Sequence, residues 1–282
     1  MIDRAPNDYG LGHNHDELQR LIGQGRWLGE LTEEVLRAAG IRPGMRVLDV
    51  GCGAGDVSFL AATLVGREGS VVGVDRSDEA IALAKRRAAD VGLANVSFVT
   101  QDLQDLATEA RFDAIIGRLV LMYFAEPDLI LRHLLKLLMP GGVVAFHELD
   151  VQSSTSEPNV PLVARTLQYV IEALRCVNAN PRMGLHLPQT FQRANLSIPR
   201  MIAHTRIGTG AEIAILQQLT GITRTLLPAM EEHGIATAAE VDVETLAERL
   251  QRATFAAAAT IVAPLFVGAW ARTAVPGERN DP

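Results

Sequence analysis

The chain has little of what marks several common protein classes. Among its 282 residues there are only two cysteines, Cys52 and Cys176. One sits in a glycine-rich turn and the other in an expected helix, so no disulfide framework is implied. Basic residues are outnumbered: 26 Lys and Arg stand against 33 Asp and Glu, a formal charge of -7. That balance argues against a nucleic-acid partner, which calls for a basic surface. The one basic run, Lys85-Arg86-Arg87, falls on an expected helix and reads as a solvated face. No apolar run is long enough for a membrane span. Met1-Ile2-Asp3-Arg4-Ala5-Pro6 lacks the apolar core of a secretory signal, so a cytoplasmic protein is expected. The spacing His13-x-His15-Asp16-Glu17 invites a metal reading. A helix start fits better, with Asn14 or Asp16 as cap and acids in the first turn, and no metal is expected. What the chain does have is a 48% hydrophobic fraction, ample for one large domain or one domain with a substantial insertion.

The organising stretch is Val47-Leu48-Asp49-Val50-Gly51-Cys52-Gly53-Ala54-Gly55-Asp56-Val57-Ser58-Phe59. A short apolar run suits a buried strand. Three alternate glycines follow, and then Val57, Phe59, Leu60 and Leu64 recur at helical spacing. The pattern is strand, tight turn, helix. Glycine serves where backbone angles are unusual or a ligand meets the main chain, and the helix start offers unpaired N–H groups. The next apolar run, Val71-Val72-Gly73-Val74, ends in Asp75, an acid placed to accept hydrogen bonds from both hydroxyls of a ribose.

These residues resemble motif I of the class I S-adenosylmethionine-dependent methyltransferases, with Asp75 matching the acid that ends their second strand. The nearest flavour is the ubiquinone/menaquinone-biosynthesis-like group, which includes natural-product enzymes. The resemblance runs from about Val47 to Asp150.

Around that stretch, strands are expected near 46–50, 70–75, 96–100, 112–117 and 142–149. Helices are expected near 56–64, 78–91 and 126–138, with Ser77 or Asp78 capping the second and Pro140-Gly141-Gly142 closing the third. Such alternation predicts a parallel sheet covered on both faces. Further helices are expected at 159–178 and Leu187–Ala194, and a strand at Ile198–Ile207. A last strand runs from Leu265 to Arg272, since Pro264 bars an earlier start. The resemblance implies the family's α/β, Rossmann-like, seven-stranded and mostly parallel sheet with the last strand antiparallel. The expected organisation is a helical lid over residues 1–40, loose at 1–12 and broken at Gly23 and Gly25. A methyltransferase domain follows over 41–275, with a helical insertion at about 211–258. The tail, 276–282, is expected to be disordered.

For the cofactor, the resemblance points to Asp49, Gly51, Cys52, Gly53 and Gly55 around the amino-acid end. Asp49 either hydrogen-bonds the ammonium group or stabilises the turn. Asp75 takes the ribose, with Arg76 beside the adenine. Gln101-Asp102-Leu103 follows the third strand, Asp102 receiving the adenine amino group and Leu103 packing on the ring. Arg118 contacts the cofactor, binds an acidic substrate, or pairs with Asp49 or Glu148. Tyr9 and Gln24 are lid candidates. His186, His204 and His233 have no partner legible in the sequence.

Catalytic candidates lie in Phe146-His147-Glu148-Leu149-Asp150. His147 is the natural base near neutral pH, and Glu148 either aligns an amine or holds a loop. Strand alternation keeps the two from facing one cleft unless the strand has already ended, and the alternative role is that both only stabilise the strand end. A methyltransferase acting on an oxygen, nitrogen or carbon nucleophile of a small, partly apolar metabolite is expected. S-adenosylmethionine would be its donor and S-adenosylhomocysteine the product. Arg118-Leu119-Val120-Leu121 stands where amino-methyltransferases of nucleic acids carry an Asn-Pro-Pro-Tyr-like run, and the chain has no Pro-Cys pair. A homodimer is compatible with this reading. The alternative from another class is a protein that binds the same cofactor without methylating. A nicotinamide dehydrogenase is disfavoured by the glycine spacing.

Overall fold

The computed structural model describes residues 15–209 and 213–274. In chain order the strands are β1 (Arg46–Val50), β2 (Ser70–Asp75), β3 (Val96–Thr100), β4 (Phe112–Arg118) and β5 (Leu138–Asp150). They continue with β6 (Thr155–Glu157), β7 (Arg200–His204), β8 (Ile207–Thr209), β9 (Thr260–Val262) and β10 (Leu265–Arg272). The helices are α1 (His15–Ala38), α2 (Asp56–Val65), α3 (Asp78–Asp90), α4 (Pro127–Leu135), α5 (Pro161–Cys176) and α6 (Met183–Arg193). The last three are α7 (Ile213–Glu232), α8 (Ala238–Val241) and α9 (Val243–Ala256). Contacts divide the chain into two compact units. Of the described residues, one unit comprises 21–149, 183–204 and 266–274, and the other comprises 15–20, 150–182, 205–209 and 213–265.

The first unit is built on a seven-stranded sheet in the order β3-β2-β1-β4-β5-β10-β7. Strands β1 to β5 pair in parallel. β10 runs antiparallel to β7. It also opposes β5, because Thr273 N–H donates to the Gly142 carbonyl while the Phe266 ring lies on His147. Val47, Leu48 and Val50 are each at most 1% exposed, as a central strand covered on both faces requires. On one face Ala61, Ala62 and Val65 of α2 pack with Val35 and Leu36 of α1 over Val47, Ala114, Ile116 and Val143. Small residues on α2 let helix and sheet approach closely. The strand order reverses between β1 and β4, so their carboxyl ends flank a crevice of the kind that holds ligands in such sheets.

In the second unit, α5, α7 and α9 pack together. β6, β9 and β8 form a separate three-stranded antiparallel sheet. This small sheet has no counterpart in the sequence reading. The single strand expected over 198–207 is two strands in two sheets, β7 and β8, broken at Thr205 and Arg206. Thr205 Oγ1 donates to the Ala263 carbonyl at 2.7 Å, so the break is made by a tertiary contact.

Other boundaries also move. α1 is one helix, not two. Glycine costs a helix interior about 1 kcal/mol relative to alanine, and the buried Leu28, Val35 and Leu36 outweigh that. Pro140-Gly141-Gly142 does not close α4, which ends at Leu135. It forms a bulge inside β5, where the register with β4 jumps from Phe112↔Leu138 to Ala114↔Val143. The expected loose segment 1–12 and the tail 276–282 lie outside the described residues.

α1 ends where Gly40, at φ +86°, turns the chain toward β1. Its N–H donates to the Arg37 carbonyl and that of Ile41 to Leu36, two paired caps on the helix end. Gly40→Ala forces a side chain into left-handed backbone and should cost about 1 kcal/mol. The expected readout is a thermal midpoint lower by a few degrees with an unchanged far-ultraviolet spectrum. An unchanged midpoint would show that the cap carries no stability.

Candidate active site

β1 delivers Asp49 to the mouth of the glycine turn. Gly51, Gly53 and Gly55 then take φ of 63°, 51° and 89°, left-handed values that disfavour any residue with a Cβ. Close packing demands glycine as well. A Cβ on Gly51 would lie 2.4 Å from Val120 Cγ2, and one on Gly55 would lie 2.9 Å from Phe59 Cζ. Asp49 is 1% exposed and accepts a 2.5 Å hydrogen bond from Ser58 Oγ, tying the start of the turn to the first turn of α2. Burial pushes its carboxyl up to about 7, against the pull of Ser58 and Arg118. Cys52 is buried, and its thiol is raised well above its ordinary value.

Asp75 ends the neighbouring strand and holds the turn from the other side. Its Oδ2 accepts the Gly53 N–H at 2.9 Å and its Oδ1 accepts the Ser77 N–H at 3.0 Å. The cap of α3 is Ser77, whose Oγ accepts from Ala80 N–H, so Asp75 is not the cap. Half-buried Asp75 keeps a second lone pair on each oxygen. Arg76 is exposed. At the end of β3, Gln101 N–H donates to the Asp75 carbonyl, Asp102 Oδ1 accepts from Gln104 N–H, and Leu103 is buried.

Arg87 departs from its reading as a solvated residue. Lys85 and Arg86 are exposed, but Arg87 reaches from α3 to the Ala54 carbonyl at 2.5 Å and to both carboxylate oxygens of Asp56. Its guanidinium also lies over the Phe59 ring at 5.1 Å. It clamps the exit of the glycine turn. Nothing in the local sequence distinguishes it from Arg86, since the contact spans more than thirty residues.

Arg118 ends β4 and is half-buried, donating from Nη1 to Thr32 Oγ1 at 3.0 Å. Burial lowers its pKa, and the carboxylates of Asp56 and Asp49 oppose that shift. Of the alternatives open from sequence, a field from Asp49 is present, and the side-chain hydrogen bond goes to Thr32. His147 is 2% exposed inside the sheet, with its ring 4.5 Å from that of Phe266. Burial, then Arg118 and His204, pull its pKa down to about 3. The expected base is therefore a neutral imidazole at physiological pH, set among packed side chains rather than in an open cleft. Glu148 is fully buried, and its Oε1 accepts the N–H groups of Val120 and Leu121. Burial pushes it up to about 8. His204 gains a neighbour that sequence could not show: its Nε2 lies 3.4 Å from Glu34 Oε2, off hydrogen-bond geometry.

Tyr9 and His13 lie outside the described residues, as does the Gln24 side chain. Among the described residues no three His, Cys, Asp or Glu side chains group to hold a metal. No described helix is long and apolar enough to cross a membrane.

Two predictions follow from these contacts. Arg87→Ala should lower stability by about 2 kcal/mol, since a charged donor to two acceptors is lost. Arg87→Lys should recover only part, because an ammonium cannot fork onto a carboxylate. Urea midpoints check both, and equal midpoints for wild type and Arg87→Ala would refute the clamp. The second concerns pH. Asp49 and Glu148 are raised on folding, so their contribution is full below the ordinary carboxylate range and is lost as pH rises through about 7 and about 8. His147 is lowered, so its contribution is full above its ordinary value of 6.5 and is lost as pH falls toward about 3. Glu148→Gln should flatten the alkaline side of the midpoint-against-pH curve and leave the acid side alone. An unflattened alkaline limb would contradict it.

Residues 41–195 match a family described as "Methyltransferase domain", more than half of the chain. The chain is 37% identical over 121 residues to an arsenite methyltransferase of Aquipseudomonas alcaligenes, covering 40% of this chain and 35% of that one. It is 34% identical over 132 residues to the ubiquinone/menaquinone biosynthesis C-methyltransferase UbiE of Ectopseudomonas mendocina, covering 46% and 49%. The chain thus spans less than half the length of these two curated relatives. Among solved structures it resembles phosphoethanolamine N-methyltransferase 2 of Haemonchus contortus in complex with phosphomonomethylethanolamine and S-adenosylhomocysteine. The TM-score is 0.54 at 18% identity, over 87% of this chain and 52% of that one, a likeness of fold. With the family match, the strand order and the glycine turn held by Asp75, the chain belongs to the class I S-adenosylmethionine-dependent methyltransferases.

Proposed function

We propose that this protein transfers the methyl group of S-adenosylmethionine to an oxygen, nitrogen or carbon nucleophile of a small, partly apolar metabolite. The observation that carries the reading is the cradle formed by the glycine turn and Asp75. Gly51, Gly53 and Gly55 hold backbone angles only glycine takes easily, Gly51 and Gly53 are half-buried, and Asp75 sits beside them with lone pairs to spare. These residues fit the cofactor: the turn receives its amino-acid end and Asp75 its ribose. Asp102 and buried Leu103, at the end of the adjacent strand, suit the adenine. The acidic balance of the chain favours a small-molecule acceptor over nucleic acid.

When bound, the cofactor supplies a methyl group already activated by the sulfonium. What remains for the chain is to position donor and acceptor and to exclude water. The burial of His147 and Glu148 supports transfer by positioning, to a nucleophile whose lone pair is free at working pH. It also suits a second reading, a protein that binds the cofactor without transferring the methyl group.

Incubation with methyl-labelled S-adenosylmethionine and a metabolite extract separates the two, and label moving into a small molecule is the expected result. Binding of S-adenosylhomocysteine with no transfer to any acceptor would favour the second reading, and no binding would sink both. Asp75→Asn keeps the size of the side chain but removes its charge. It should weaken S-adenosylhomocysteine by about tenfold or more, since hydrogen bonds to a charged acceptor contribute about 1.5–3 kcal/mol each. Calorimetry checks this, and unchanged affinity would remove Asp75 from the ribose site.

A further inference from the structure

Two successive residues of β5 hold three successive N–H groups of the chain that leaves β4. The His147 carbonyl accepts from Leu119 at 2.8 Å, and Glu148 Oε1 accepts from Val120 at 3.0 Å and Leu121 at 2.8 Å. The segment is not relaxed. Leu119 has φ +56°, a left-handed value that a leucine rarely takes and that persists only where surrounding contacts impose it. The held backbone presents Val120 to the glycine turn. A Cβ on Gly51 would meet Val120 Cγ2 at 2.4 Å and Cγ1 at 3.2 Å, so the valine methyl groups rest on the bare Cα of Gly51. Val120 is 7% exposed, and this contact lies between the ends of β1 and β4, where the strand order reverses.

We propose that Glu148 is a positioning residue of the cofactor cradle: its carboxyl holds the backbone after β4, and Val120, carried on that backbone, sets the position of Gly51. The proposal deepens the functional reading above and rests on it for the identity of the ligand. Glu148 needs no negative charge for this role. Among the described residues its second oxygen is buried without a hydrogen-bond partner, and Oε1 alone accepts both N–H groups. A neutral amide of the same length can do the same. Alanine cannot, and it leaves two buried N–H groups unpaired.

The test measures local hydrogen exchange by mass spectrometry on the ligand-free full chain, beside calorimetric titration with S-adenosylhomocysteine. Glu148→Ala should speed exchange in 119–123 and also in 51–55, and weaken S-adenosylhomocysteine by about tenfold through lost preorganisation. Glu148→Gln should hold both at the wild-type level. Val120→Ala should loosen 51–55 while leaving 119–123 protected, which a role confined to stability would not produce. Exchange in 51–55 that ignores Val120→Ala, or a Gln variant no better than Ala, would overturn the proposal. If Glu148→Ala does not fold, the other two variants decide it. Wild-type protein that binds no S-adenosylhomocysteine overturns the functional reading, and the exchange rates then decide the coupling of the two turns without a ligand.

Discussion

The arrangement at the strand ends depends on one carboxylate. Asp75 accepts the N–H of Gly53 on one oxygen and that of Ser77 on the other. It thereby joins the turn that opens α2 to the turn that opens α3. The glycine turn has three left-handed residues, so its own backbone preference is weak, and glycine loses more conformational freedom on folding than any other residue. Contacts from outside must make one conformation win. Asp75 supplies the hydrogen bond, Arg87 clamps the exit at Ala54 and Asp56, and Val120 and Phe59 pack against the glycines from two directions.

Burial governs the ionisable groups around this turn more than their partners do. Asp49 has a hydroxyl donor and a nearby guanidinium, yet its carboxyl is pushed up, because removal from water outweighs both. Glu148 has backbone N–H donors at its carboxyl and is still pushed up. His147 is pushed the other way for the same reason, since the imidazolium is its charged form. The strand end that looks richest in acid–base chemistry is thus held largely in neutral forms. Strand alternation completes the division, giving His147 to the packing against Phe266 and Glu148 to the backbone after β4.

The strands β1, β2, β3 and β4 and the helices α2 and α3 were legible to within a residue or so, because their periodicity is local and their ends carry local signals such as Ser77 and the glycines. Legibility fails where long-range contacts override local preference. Gly23 reads as a breaker but lies inside a helix supported by buried residues further along. Pro140-Gly141-Gly142 reads as a helix stop but is a bulge that β4 pairing absorbs. Ile198–Ile207 reads as one strand because nothing local reveals that Thr205 is anchored to Ala263.

The sequence by itself determined the doubly wound sheet, the glycine turn and the acid that ends β2, since each rests on residue types at short fixed spacing. It also determined that His147 and Glu148 face opposite ways wherever the strand runs through both, as β5 does. Only the tertiary structure decided what those residues meet. Ser58 on Asp49, Thr32 on Arg118, Arg87 on Asp56 and Val120 on Gly51 join segments up to 86 residues apart. Only the tertiary structure decided the charge states as well, because desolvation depends on everything packed around a group and not on its neighbours in the chain.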